Sequence, residues 1–130
     1  MKEEASCVLD ASALLAFFQE EIGAENVEAV LEHAVVSTVN WSEVHRRAAA
    51  RGVHVRGLWA DVEALGVRLV PFTRMDAERA AALRPSTRER GLSLADRACL
   101  ALAARLGLPA LTADRAWQGL ELDVDVRSIR

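Results

Sequence analysis

Four short apolar runs, separated by helix-patterned stretches, constrain the fold of this chain more than any other feature. Residues 6–9, 35–38, 67–70 and 110–112 read as buried strands, and residues 124–127 as a last one. The intervals read as helices: residues 11–18, 24–33 after Gly23, and 40–50, closed by Gly52. In residues 53–65, apolar positions Val55, Leu58, Trp59, Val62 and Leu65 keep helical spacing, and Gly66 stops the run. Residues 76–83 form another predicted helix, 84–91 a polar loop, and 114–117 a helical turn. Residues 94–106 are apolar almost all round, which predicts a central, buried helix. Strands alternating with helices imply an α/β fold with a mainly parallel sheet. Without repeats, low-complexity tracts or a linker, residues 1–130 are expected to form one domain.

Acids punctuate this pattern. Asp10 ends the first run, Glu43 follows the second, and Asp114 follows the run at 110–112. Asp96 opens the most apolar helix. Ligands of an open parallel sheet bind beyond the carboxyl ends of its strands. Acids placed there from distant parts of the sequence can meet in one crevice, where they repel one another unless they hold cations. Each acid singly also reads as a helix cap. Ser93-Leu94-Ala95-Asp96 is a capping box, Asn40-Trp41-Ser42-Glu43 has the same form with Asn40 as cap, and Asp10 and Asp114 suit N-cap positions. Capping does not require that three of the four follow strands of one sheet. Glu3, Glu4, Asp61, Glu63 and Asp76 are expected on exposed faces or at the terminus. Both roles are compatible: a capping carboxylate keeps oxygens free for a cation. All-oxygen donors suit Mg²⁺ or Mn²⁺, which support phosphoryl transfer.

Other chemistries lack their residues. His33, His45 and His54 make no zinc pattern, and no nucleophile elbow, Cys/His pairing or Gly-rich phosphate loop occurs. Cys7 and Cys99 lie in apolar stretches and are expected as buried free thiols. The composition is 52% hydrophobic and 27% charged, ordinary for a folded domain. A net charge of −3 gives no basic footprint for nucleic acid, but bound metal would mask several negative charges. The start Met1-Lys2-Glu3-Glu4 is not a signal peptide and no run is long enough to span a membrane, so a cytoplasmic location is expected.

Four segments together resemble the motifs of PIN-domain nucleases. They are Val8-Leu9-Asp10-Ala11-Ser12-Ala13-Leu14-Leu15-Ala16, Ser37-Thr38-Val39-Asn40-Trp41-Ser42-Glu43-Val44, Leu92-Ser93-Leu94-Ala95-Asp96-Arg97-Ala98-Cys99-Leu100-Ala101-Leu102-Ala103, and Leu111-Thr112-Ala113-Asp114-Arg115-Ala116-Trp117. Order, spacing and length also match, and within the family the chain is most similar to VapC-type toxins of bacterial toxin–antitoxin pairs. The resemblance implies a three-layer α/β/α, Rossmann-like fold and a Mg²⁺- or Mn²⁺-dependent endoribonuclease. Asp10, Glu43, Asp96 and Asp114 match the acidic quartet, and Ser12 and Thr112 its small hydroxyl positions. Many members carry a further acid after the fourth motif; Trp117 lies in that region here, so no fifth ligand is assigned. The implied partners are an RNA substrate, a cognate antitoxin and a second copy of the chain, with the region around Trp59 contributing to the dimer and antitoxin surface.

Arg46, Arg47, Arg97 and Arg115 lie within one turn of a proposed ligand and are candidates to grip RNA phosphates; a solvated face or local ion pair is the simpler account. Arg84, Arg88 and Arg90 fall in the polar loop. Core or interface packing is expected of Trp41, Trp59 and Trp117. A DNA-directed nuclease and a non-catalytic interaction domain on the same fold are the competing functions. A haloacid-dehalogenase-type phosphatase needs an Asp where Ser12 stands, and a receiver domain needs an acidic pair and a late Lys that are absent.

Overall fold

The computed structural model describes residues 4–130. Its centre is a five-stranded, all-parallel sheet in the order β3-β2-β1-β4-β5. The strands are β1 (Cys7–Leu9), β2 (Ala34–Ser37), β3 (Arg68–Val70), β4 (Ala110–Thr112) and β5 (Val126–Ser128). Helices α1 (Ala11–Phe18), α2 (Ala24–Glu28), α3 (Thr38–Ala50), α4 (Leu58–Ala64), α5 (Arg74–Ala82), α6 (Arg84–Thr87) and α7 (Leu94–Leu106) connect them.

Side-chain alternation along the strands builds the three layers. Cys7, Leu9, Ala34, Val36 and Leu111 face one apolar cluster with α1, Val27, Val44 and Val62. Val8, Val35 and Ala110 face the other, with Cys99, Leu100, Leu102 and Ala103 of α7. Both faces are covered, so β1 and the first three residues of β2 are apolar without interruption, as suits buried parallel strands. Helix α7 is buried from Arg97 to Ala103 and ends at Gly107, whose left-handed φ of 67° forms the cap. Gly23 is required by contact as well as by its φ of 94°: a Cβ there would lie 2.5 Å from the carbonyl oxygen of Ile129.

The order of strands reverses direction at β1. The chain proceeds outward through β2 and β3, then crosses back to lay β4 on the other side of β1. The crevice at the carboxyl ends of β1 and β4 is therefore the topological switch point, where such sheets bind ligands.

Several boundaries differ from those the sequence predicts. Strand β2 ends at Ser37, whose Oγ accepts from Val39 N at 3.2 Å, so Ser37 and not Asn40 caps α3. Asn40 sits in the third helical position, fully buried. The predicted helix at 53–65 is only Leu58–Ala64; Gly57, with φ 81°, starts it, and Val53 is exposed. Residues 84–91 are not a loop but the helical turn α6 followed by a 3-10 turn. The helix predicted at 24–33 breaks into α2 and a 3-10 turn, and β5 lies two residues later at its start than expected. Asp76 is buried, not exposed: it caps α5 with Thr73 and takes Arg105 Nε at 2.8 Å and Nη2 at 3.0 Å. Glu3 lies outside the described residues. Cys7 and Cys99 are buried free thiols, as expected.

Candidate metal and phosphate site

Asp10 is the anchor of the crevice. It leaves β1 as the N-cap of α1, only 2% exposed, with Oδ1 accepting from Ala13 N at 2.8 Å. Ser12 Oγ lies 2.8 and 2.9 Å from the two carboxylate oxygens. Thr112, at the end of β4, donates to Asp10 Oδ2 at 2.6 Å across 102 residues of sequence. The two hydroxyls lie 3.2 Å apart and stitch the strand ends further: Ser12 Oγ accepts from Ala113 N and Thr112 Oγ1 from Asp114 N, each at 2.9 Å. Three donors, Ala13 N and the Ser12 and Thr112 hydroxyls, thus fix the carboxylate of a residue that no ion pair reaches among the described residues.

The remaining acids come from separate elements. Asp96 lies in the first turn of α7, where its Oδ2 accepts from Ser93 N at 2.9 Å in a reciprocal capping box. Asp114 caps the 3-10 turn Arg115–Trp117 through Oδ1, which accepts from Ala116 N at 2.8 Å. Asp96 Oδ1 and Asp114 Oδ2 have no protein partner among the described residues. Capping and ligation are thus compatible in this chain.

The electrostatics tie three acids together. Burial pushes the Asp10 pKa up to about 7, with the charge of Asp96 adding to it, against the hydrogen bonds from Thr112, Ala13 and Ser12. Burial also raises Asp96, and the Asp114 charge raises it further, while Ser93 and the Arg47 guanidinium oppose. Each carboxylate feels the next, so β1, α7 and β4 bring Asp10, Asp96 and Asp114 into one field. Among the described residues no three His, Cys, Asp or Glu side chains form a ready-built metal cage. Carboxylates that repel one another stand apart until a cation neutralises them. All-oxygen donors, a buried anion without a counter-charge and two free carboxylate oxygens fit a hard divalent ion.

Glu43 is placed differently. It lies half-buried on α3 and borders a shallow depression with Arg46, Ser93, Leu94 and Ala95, beside the first turn of α7. Asn40, one turn earlier, donates from Nδ2 to Ala95 O at 3.0 Å and so tethers α3 next to Asp96. Arg47 and Arg115 line a separate cavity of about 430 Å³ with Ser12 and Asp114. Glu21 and Arg130 also line it. The sequence reading missed both; the only signal for Arg130 was its place two residues past β5. Arg97 is a correction: it is buried, and its Nη1 donates to Ala80 O at 2.8 Å, bolting α7 to α5 instead of facing phosphate. Arg90 is likewise committed, to the carbonyls of Ala116 and Gln118. Trp117 is a core residue, and Trp41 and Trp59 pack edge to face at 5.1 Å against the α1 side of the sheet.

The PIN domain family model matches residues 7–121. The chain belongs to the PIN domain family. PIN nucleases generally use divalent metals, which agrees with the donor set just described. Solved structures share the fold across nearly the whole chain. A chain of a toxin–antitoxin complex from Klebsiella pneumoniae is 24% identical, with a TM-score of 0.74, covering 96% of this chain and 98% of its own. One from the DNA-bound VapBC complex of Salmonella typhimurium is 15% identical, with a TM-score of 0.72, covering 97% and 99%. The Mycobacterium tuberculosis toxin VapC20, described as cleaving the sarcin–ricin loop, is 20% identical, with a TM-score of 0.64, covering 83% and 88%. The comparison with curated proteins returns no match. The α/β fold of this chain is therefore shared with these structures. No helix among the described residues is long and apolar enough to cross a membrane.

Proposed function

We propose that this PIN domain is a Mg²⁺- or Mn²⁺-dependent endoribonuclease, the toxin of a toxin–antitoxin pair acting in the cytoplasm. The observation that carries the reading is the placement of Asp10, Asp96 and Asp114 at the starts of α1, α7 and the turn after β4, beside the switch point of the sheet, where the Asp96 charge acts on Asp10 and the Asp114 charge on Asp96. The neighbouring folds add support: one cleaves the sarcin–ricin loop, and others come from toxin–antitoxin complexes. A cognate antitoxin and a second copy of the chain are the proposed protein partners.

In this reading Asp10, Asp96 and Asp114 would hold the metal, and Glu43 would join them or orient the attacking water. A bound divalent ion supplies an acidified water and offsets negative charge on the phosphoryl group. The protein's own contribution is positional. Thr112 and Ser12 fix the Asp10 carboxylate through 2.6 and 2.8 Å hydrogen bonds. Ser93 orients Asp96 through the capping box, and Asn40 holds α3, and with it Glu43, against the same turn. Arg47 and Arg115 stand beside Asp114, where phosphates flanking the cut can be gripped.

Paired digestion of end-labelled RNA and DNA in Mn²⁺, by wild type and Asp96→Asn, tests the reading. Wild type is expected to cut RNA internally and Asp96→Asn to leave it intact. RNA cleavage that survives Asp96→Asn sinks the mechanism, and preferential cutting of DNA favours the DNA-directed alternative.

A further inference from the structure

The cavity beside Asp114 gathers three arginines from three elements. Arg47 comes from α3, Arg115 from the turn after β4, and Arg130 from the segment after β5. Strand register explains the third. Thr112 pairs with Ser128, and Ile129 N donates to Thr112 O at 3.0 Å. The Ile129 side chain is 1% exposed, which locks that register into the core. Two residues beyond the pair on each strand, Asp114 and Arg130 both reach the cavity wall.

These guanidiniums are not held by hydrogen bonds, although the Arg47 charge also acts on Asp96. Among the described residues, none of the three makes an ion pair or a side-chain hydrogen bond. Arg90, Arg97 and Arg105, by contrast, are each bonded to carbonyls or to Asp76. Three guanidiniums against two carboxylates leave the cavity of about 430 Å³ with an excess of positive charge that favours an anion. The carboxylates on its wall are Glu21 and Asp114, and Asp114 is already proposed to serve a cation. Guanidinium forks match phosphate oxygens in pairs, and the cavity has room for a phosphate with its sugar.

We infer that Arg130, with Arg47 and Arg115, forms a pocket that holds a backbone phosphate of single-stranded RNA next to Asp114. The inference rests on the RNA-cleavage reading, since that reading puts the scissile bond at Asp10, Asp96 and Asp114. Arg130 is thereby a substrate-binding residue and Arg97 is not.

The test is an anisotropy titration of fluorescein-labelled decauridylate in EDTA, at several salt concentrations. Wild type, Arg130→Gln, Arg130→Lys, the triple Gln variant at 47, 115 and 130, and Arg74→Gln as a control are compared. Each Gln substitution in the pocket is expected to weaken binding about three- to fivefold. The slope of log K against log salt should fall by about 0.7 per arginine, so by about 2 for the triple variant. Arg130→Lys should keep the slope and lose part of the affinity, and Arg74→Gln should match wild type. Unchanged affinity and slope in Arg130→Gln, or no RNA binding by wild type, overturns the pocket. If the pocket variants bind RNA normally but lose a deca-glutamate peptide, the cavity takes protein carboxylates and the RNA assignment fails. Cleavage of the same RNA by wild type in Mn²⁺ is scored separately. Binding losses without any cleavage leave the pocket standing and sink the nuclease reading; cleavage with unaltered Arg130→Gln binding does the reverse.

Discussion

Replacing Asp10 with Asn should stabilise the metal-free protein, and by an amount that depends on pH. Asp10 is buried at 2% exposure, and its pKa rises from 3.8 to about 7, chiefly through burial and further through the charge of Asp96. Between those values the folded protein binds more protons at this residue than the unfolded chain does. Stability therefore falls as pH rises through the window, and the loss is complete above about pH 7. A shift of this size corresponds to an upper bound of about 4 kcal/mol between pH 4 and pH 8. Asn cannot ionise and escapes that loss. It gives up one acceptor to Ser12, Thr112 or Ala13 N, a cost of about 1 kcal/mol at every pH. The difference between variant and wild type, measured by urea unfolding in EDTA, should start slightly negative near pH 4. It should then climb by as much as about 1.4 kcal/mol per pH unit and level off above pH 7. Near pH 8 the melting temperature of Asp10→Asn should exceed that of wild type by up to roughly 10 °C. Millimolar Mn²⁺ should close the gap by raising wild type and leaving the variant nearly unmoved. A difference that is flat with pH would refute the reasoning, because it would mean that Asp10 carries no uncompensated charge in the folded state.

Further outcomes follow from contacts elsewhere. Asp76→Asn should cost about 1–3 kcal/mol at pH 7 through loss of the bidentate Arg105 contact. Because Arg105 and the Thr73 backbone hold the Asp76 pKa below 3.8, that cost should persist down to about pH 4 and vanish only as pH falls further, as acid unfolding curves will show. Arg97→Met should leave decauridylate affinity at the wild-type level and change stability by less than about 2 kcal/mol, since a buried cation and its single bond to Ala80 O are removed together. Asn40→Asp, which loses the donor and opposes a charge to Ala95 O, should destabilise more than Asn40→Ala, by thermal melting at pH 7. Both should reduce the Mn²⁺-induced rise in melting temperature by loosening α3 from the turn that carries Asp96.

The legible parts of this protein were those that local chemistry dictates. Strand β4, helix α1 and helix α7 fall where apolar pattern and caps put them, because a capping box at Ser93 and a left-handed Gly107 act within a few residues. The start of α3 was misread because two caps compete in one stretch. Ser37 leaves β2 directly into the helix, which turns Asn40 from a cap into a buried tether. The short α6 was missed because Pro85 near its start looks like a loop residue, although the first turn of a helix tolerates it.

The sequence by itself determined the alternation of strand and helix, the parallel sheet and the positions of three acids, Asp10, Asp96 and Asp114, at element starts. These follow from side-chain period, capping preference and chain order. Only the tertiary structure decided which residues act together. The reversal of strand order at β1 puts Thr112 onto Asp10, and the pairing of β5 with β4 carries Arg130 to Asp114. The same packing of α5 on α7 withdraws Arg97 and Asp76 into the interior. Residue spacing fixes which face of its own element a side chain occupies. What that face meets is set by contacts across a hundred residues, which no local pattern encodes.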